Sequence, residues 1–181
     1  MSKNGLILLT PTSIAHTGTS ATISANGSVS FSAVTQLRLN GVFSADYDNY
    51  MVVTWHLATA NGYGWRARLS SGGTDNVTAS SYTRQNLDAD GSAVSGSRAS
   101  SDFFVLGPAD DTLRSGTIGH FYGPYLAQPT AFRSLGASGY SNAWLSDYAV
   151  THNQSTAYDG FNLYTFTGSI SGRIAVYGMR K

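Results

Sequence analysis

The sequence predicts an all-β protein, an antiparallel β-sandwich of jelly-roll type, on three observations. The polar residues are mostly uncharged, with 25 Ser, 18 Thr and 10 Asn, while Glu is absent and the two Lys stand at positions 3 and 181. Ser, Thr and Asn compete with a helix backbone through local hydrogen bonds, and the missing residues are strong formers of exposed helices. Apolar residues recur with period two in short runs, the spacing that places alternate side chains on opposite faces of a strand. Gly, Asn and Asp cluster between those runs, where turns need them.

Taken in order, Leu6 to Leu9 forms the first apolar run and reads as a strand or an anchor. "ATISA" and "SVSFSAV" flank Asn26-Gly27, a pair that tolerates the positive φ of a tight hairpin. Leu37 to Val42 follows. In "NYMVVTWHLATA" both faces carry apolar groups, Met51, Val53, Trp55 and Leu57 on one and Tyr50, Val52, Thr54 and His56 on the other, which predicts a central strand. "ANGYG" then predicts a hairpin into "GWRARLSS", where Trp65, Ala67 and Leu69 face the core and Arg66 and Arg68 face water. Ser71 to Ala79 and Asp88 to Ser101 read as loops. Tyr82 to Leu87, Phe103 to Leu106, Thr117 to Tyr122, Ala131 to Leu135, Ala143 to Thr151, Phe161 to Phe166 and Ile170 to Tyr177 complete the strands. Residues 14–181 are expected to form one sandwich domain, with 1–13 as an N-terminal anchor or arm.

A net charge of +1 from 11 basic and 10 acidic residues leaves no electrostatic footprint for nucleic acid. With no cysteine, disulfides, thiolate metal sites and thiol nucleophiles are excluded. No run reaches the ~18 apolar residues of a membrane-spanning helix, so membrane insertion is not expected.

Few motifs carry chemistry. His152, Ser155 and Asp159 in "THNQSTAYDGF" supply the residue types of a catalytic triad, but a Ser-rich chain produces such coincidences, and the segment reads as a turn. "GSISG" puts Ile170 where a nucleophile elbow needs Ser. The histidines lack metal-ligand spacing, and Asp46 to Asn49 and Asp88 to Gly91 read as Asx turns in preference to calcium loops. No enzyme activity, cofactor or metal is expected. Tyr63, Trp65, Tyr140, Trp144 and Tyr148 lie near loop boundaries and are the candidate glycan-binding or interface aromatics.

Several segments together carry a resemblance: "LLTPTSIAHTGTSATISANGSVSFSAVTQLRLNGVFSADYDNYMVV", "SGGTDN", "YGPYLAQPTAFRS", "THNQSTAYDGF" and "GSISGRIAVYGMRK". They resemble small virion structural proteins of tailed bacteriophages, of decoration, fibre or minor tail type, especially those of marine and cyanobacterial phages. The last strand of that family is matched by Gly168, Ile170, Gly172, Ile174, Val176, Tyr177 and Gly178. The resemblance implies a non-enzymatic structural protein on the virion surface, with other capsid or tail proteins as partners and a homo-oligomer, a trimer above all. No fibrous region precedes the domain, so a compact docked module is expected in place of a fibre shaft. Leu6, Ile7, Leu8 and Leu9 are the candidate docking segment, adding a strand to a neighbour's edge. The alternative function is a receptor-recognition module of a tail fibre that binds a host surface glycan.

Overall fold

The computed structural model describes residues 5–60, 62–139 and 143–180, with the side chains of 62 and 63 outside the description. Within it run β1 (Leu6–Leu9), β2 (Ser13–Ile23), β3 (Val29–Asn40), β4 (Asn49–Ala58), β5 (Gly62–Ser71), β6 (Thr74–Asp75) and β7 (Tyr82–Asp90). Then follow β8 (Ala93–Ser101), β9 (Phe104–Ala109), β10 (Ser115–Tyr122), β11 (Thr130–Ser138), β12 (Trp144–His152), β13 (Gly160–Thr165) and β14 (Ile170–Met179). Every pairing is antiparallel, and no helix occurs among the described residues. The protein is an antiparallel β-sandwich of jelly-roll type.

Two layers share β3. Its first half, Val29 to Val34, pairs with β14, which opens a long sheet in the order β14-β4-β10-β11-β12-β7-β8. Its second half, Gln36 to Leu39, pairs with β13, which opens a short sheet through β5 to β6 and β9. The chain crosses from one layer to the other at a bulge: Ala33 adopts φ 46° and donates its N–H to Ser171 Oγ at 2.9 Å. Opposite it Gly18 has φ 125°, and a Cβ there would come within 2.2 Å of the Ala33 carbonyl oxygen. Bulges of this kind bend a strand so that it can serve two sheets.

Between the layers lies an aromatic core. Phe121 sits at its centre, with ring centroids 4.5 Å from Phe132, 5.2 Å from Phe43, 5.4 Å from Phe161 and 5.9 Å from Phe104. Alternation supplies these residues: Phe161 and Leu163 of β13, Trp65, Ala67 and Leu69 of β5, and Ile170, Ile174 and Val176 of β14 all point inward.

Three expectations change here. The Asn61-Gly62 hairpin does not pair β4 with β5: β4 is flanked by β14 and β10, and β5 by β13 and β9, so the connection links the two layers. Asp88 to Ser101 is not a loop but mostly the β7–β8 hairpin, whose outer strand is an exposed edge without apolar alternation. β4 is the central strand expected, between β14 and β10; its buried face is Tyr50, Val52, Thr54 and His56, while Trp55 and Leu57 are exposed. Residues Leu6, Ile7, Leu8 and Leu9 are not a free arm; they pair with Met179 to Val176 of β14 beyond the end of β3, and Leu9 packs on the core.

Removing residues 1–9 therefore exposes the end of β14 and strips half-buried apolar surface. The cost is about 2 kcal/mol, about 4–8 °C in melting temperature for a domain of this size. A thermal melt of residues 10–181 checks it, and an unchanged melting temperature would show that β1 does not pair in solution.

Candidate functional site

The suspected triad segment is tied to a buried structural junction by His152 and Tyr158. His152 is 2% exposed and stacks on Tyr82 at a centroid distance of 4.1 Å. Its Nδ1 donates to the Ser81 carbonyl at 3.2 Å, and its Nε2 accepts from the Tyr158 hydroxyl at 2.6 Å. That hydroxyl in turn accepts from Asn76 Nδ2 at 2.8 Å. Burial pushes the His152 pKa down, consistent with a neutral ring bonded on both sides. Ser155 is exposed, and the Asp159 carboxylate accepts the Gly72 N–H on a different loop. The three residues therefore do not form a relay: the His152 nitrogens are taken by the Ser81 carbonyl and the Tyr158 hydroxyl, not by Ser155 or Asp159. Asp88, in the second suspected calcium turn, accepts hydrogen bonds from Asn86 and from Trp144 Nε1.

The aromatics singled out from the sequence fare differently. Trp65 is 2% exposed and packs against Phe31 and His56, so it belongs to the core. Tyr148 is also buried, facing the core from β12, and its hydroxyl is pushed up to about 12 by desolvation. Neither offers a ring face to a ligand. Trp144 is half-buried at the start of β12, with its indole N–H 3.1 Å from Asp88. Tyr140 lies outside the described residues, as does the side chain of Tyr63.

A polar and aromatic face lies elsewhere, on the outside of the short sheet. Because Trp65, Ala67 and Leu69 point into the core, Arg66 and Arg68 of β5 point out. By the same alternation Asn162 and Tyr164 of β13 and Gln36 and Arg38 of β3 point out. Register aligns them: Arg68, Asn162 and Arg38 form one cross-strand row, and Arg66, Tyr164 and Gln36 the next. Of nine arginines in this weakly charged chain, three therefore stand on one small face.

Each arginine is held in place. Arg38 pairs with Asp75 at 2.8 Å, and the other Asp75 oxygen accepts from Asn162 Nδ2 at 2.7 Å. Arg68 pairs with the Asp102 carboxylate, donates to its carbonyl at 3.0 Å, and lies 4.8 Å from the Tyr164 ring. Arg66 is clamped between Phe103 and Phe166, 4.2 Å from each ring centroid. Cation–π contact and ion pairing fix guanidinium groups whose ordering would otherwise oppose binding.

Polar atoms with no partner among the described residues cluster on the same face. Asn162 is 2% exposed, yet its Oδ1 accepts nothing, and Arg38 Nε and the Tyr164 hydroxyl are likewise unmatched. An unsatisfied buried polar atom costs about 1–3 kcal/mol, and because these three are covered by their neighbours they bear on the stability of the face and not on ligand contact. Desolvation pushes the Tyr164 hydroxyl up to about 12. The face thus combines fixed N–H donors, amide and carboxylate acceptors, and the flat rings of Phe103, Tyr164 and Phe166.

The sequence contained one clue to this face, the outward Arg66 and Arg68. Arg38, Asp75 and Asn162 come from distant stretches and meet them only through strand pairing.

No family model matches the chain, and no curated protein is similar to it in sequence. Among solved structures it is similar to LEC-6, a galectin of Caenorhabditis elegans, at 10% identity and TM-score 0.40, covering 87% of this chain and 99% of that one. It is similar to domain 4 of AbnA, an extracellular arabinanase from Geobacillus stearothermophilus in complex with arabinotriose, at 10% identity and TM-score 0.36, covering 93% and 82%. A third is the C-terminal CBM6 of LamC, a marine laminarinase from Zobellia galactanivorans, at 12% identity and TM-score 0.32, covering 96% and 99%. At these scores the likenesses carry no weight for ligand or mechanism, and the fold rests on the strand register described above.

Proposed function

We propose that the protein is a non-enzymatic component of a phage virion surface whose short-sheet outer face binds a host surface glycan. One observation carries the binding reading: the Arg68–Asn162–Arg38 row, held by Asp75 and Asp102, lies beside the Phe103, Tyr164 and Phe166 rings. A sugar presents hydroxyl groups along its edges and C–H groups on its faces, so it needs fixed donors and acceptors next to flat apolar rings. The virion location comes from the resemblance of the closing strand and the neighbouring segments to tailed-phage virion proteins. A surface module that reads host glycans fits that location without any catalytic step.

The experiment is a screen of the purified protein against bacterial-surface oligosaccharides, followed by titration of the best ligand. Arg66→Ala and Phe166→Ala should each weaken binding about tenfold, or ~1.4 kcal/mol, with the melting temperature nearly unchanged. Failure of every oligosaccharide to bind, or equal affinity in the double variant, would refute the reading. Inhibition of phage adsorption by the purified protein would support the virion role, and absence of the protein from purified particles would refute it.

A further inference from the structure

The outer face of the long sheet has the opposite character to that of the short sheet. One complete row across β4, β10, β11, β12, β7 and β8 is apolar: Trp55, Gly116, Ala137, Leu145, Ala89 and Val94 are successive cross-strand neighbours. The adjacent row adds Ile118, Leu135 and Leu87, interrupted by Asp147. The large side chains of this band are between 42% and 77% exposed. Isolated exposed apolar residues are ordinary, but rows of them in register form a continuous patch, which in soluble proteins marks an interaction surface.

We propose that this face is a two-fold interface at which a second copy of the same chain packs sheet against sheet. The apolar band has the size of an interface core. Twelve outward positions, each covering about 5 by 7 Å of sheet, give roughly 400 Å². A polar rim that includes the next row, Met51, His120, Arg133, Ala149, Gln85 and Arg98, brings this near the ~800 Å² per partner of a standard interface.

Charge also favours a like partner. Within the two apolar rows the one ionised group is Asp147, paired with Arg133 at 2.7 and 3.1 Å, while Arg98 in the flanking row and Arg114, 4.3 Å over the Trp55 ring, lie at the edges, so the centre of the contact is neutral. A chain of net charge +1 repels its own copy little. An antiparallel sheet with an apolar outer face packs naturally on another such face at about 10 Å. The homo-oligomer expected from the sequence then takes the form of a dimer in preference to a trimer, with both glycan faces pointing away from the contact. This proposal does not depend on the glycan reading.

Sedimentation of the full chain from 1 to 100 µM tests it. The wild type should sediment as a dimer, and Leu135→Asp combined with Leu145→Asp should weaken association at least 100-fold. Both substitutions are on exposed positions, and an unchanged circular dichroism spectrum shows that the variant is folded. Because the chain has no cysteine, Ala137→Cys gives an independent readout. Mild oxidation should crosslink it into dimers within minutes, while Thr17→Cys, on the other layer, should stay monomeric. A monomer at 100 µM, a dimer that survives both Asp substitutions, or no faster crosslinking at 137 than at 17 would overturn the proposal.

Discussion

Phe121→Ala is expected to destabilise the protein by about 3–5 kcal/mol, since it removes the ring on which the core converges and leaves a cavity that neighbours fill only in part. The Phe121 ring touches aromatic rings from β9, β11, β13 and the segment between β3 and β4, and so couples both layers of the sandwich. Denaturant titration should show a lower midpoint at unchanged slope, meaning that the same cooperative unit unfolds with less stability. A loss below about 1 kcal/mol would mean that the two layers are not joined through this ring.

Acid should destabilise the protein through His56. It is fully buried, donates from Nε2 to the Pro108 carbonyl at 2.8 Å, and has Nδ1 3.3 Å from the Thr54 hydroxyl. Desolvation pushes its pKa down from 6.5 to about 4, with the Pro108 bond opposing in part. The unfolded chain therefore binds a proton that the folded chain refuses between about pH 6.5 and pH 4. The stability that neutral His56 contributes is complete above pH 6.5 and is lost as pH falls through that window. The loss reaches about 3 kcal/mol near pH 4, since the folded and unfolded rings titrate at about 4 and 6.5. His152, lowered in the same direction, adds to it. Unfolding free energies measured from pH 8 to pH 4 should show this loss, and His56→Gln should lack the His56 share. A native-state titration of His56 near 6.5 would contradict the account.

The sequence carried the architecture further than the site. Alternation identified the inward face of β14, where Ile170, Ile174 and Val176 are buried, because a sheet layered on a core forces period two on its residues. Asn26-Gly27 marked a true hairpin: Gly27 has φ 92°, and Asn26 Oδ1 accepts from Ser28 N and Oγ. The similar signal at Asn61-Gly62 misled, since turn chemistry specifies a reversal of the chain but not whether the flanking strands pair or separate into two layers. β8 was invisible because an exposed edge strand needs no apolar face.

β4 shows a subtler limit. Its inner face includes Thr54 and His56, satisfied by hydrogen bonds, while its outer face carries Trp55 and Leu57, so hydrophobicity alone pointed equally both ways. Trp65 carried two readings, core by the period-two pattern of β5 and ligand-binding by its nearness to a turn, and the pattern prevails because a strand's pleat fixes the side-chain direction. The candidate site was least legible, because Arg38, Arg68, Asp75 and Asn162 come together only through the β3–β13–β5–β6 register.

The central claim is that the outer face of the short sheet binds the ligand. The most direct measurement is an amide and arginine side-chain NMR map of the protein titrated with its best-binding oligosaccharide. Shifts should concentrate at Gln36 to Asn40, Arg66 to Ser70, Asp102, Phe103 and Asn162 to Phe166, with the guanidinium resonances of Arg38, Arg66 and Arg68 moving most. Shifts centred on the long sheet's outer face or around Trp144, with the Arg68–Asn162–Arg38 row unmoved, would contradict it.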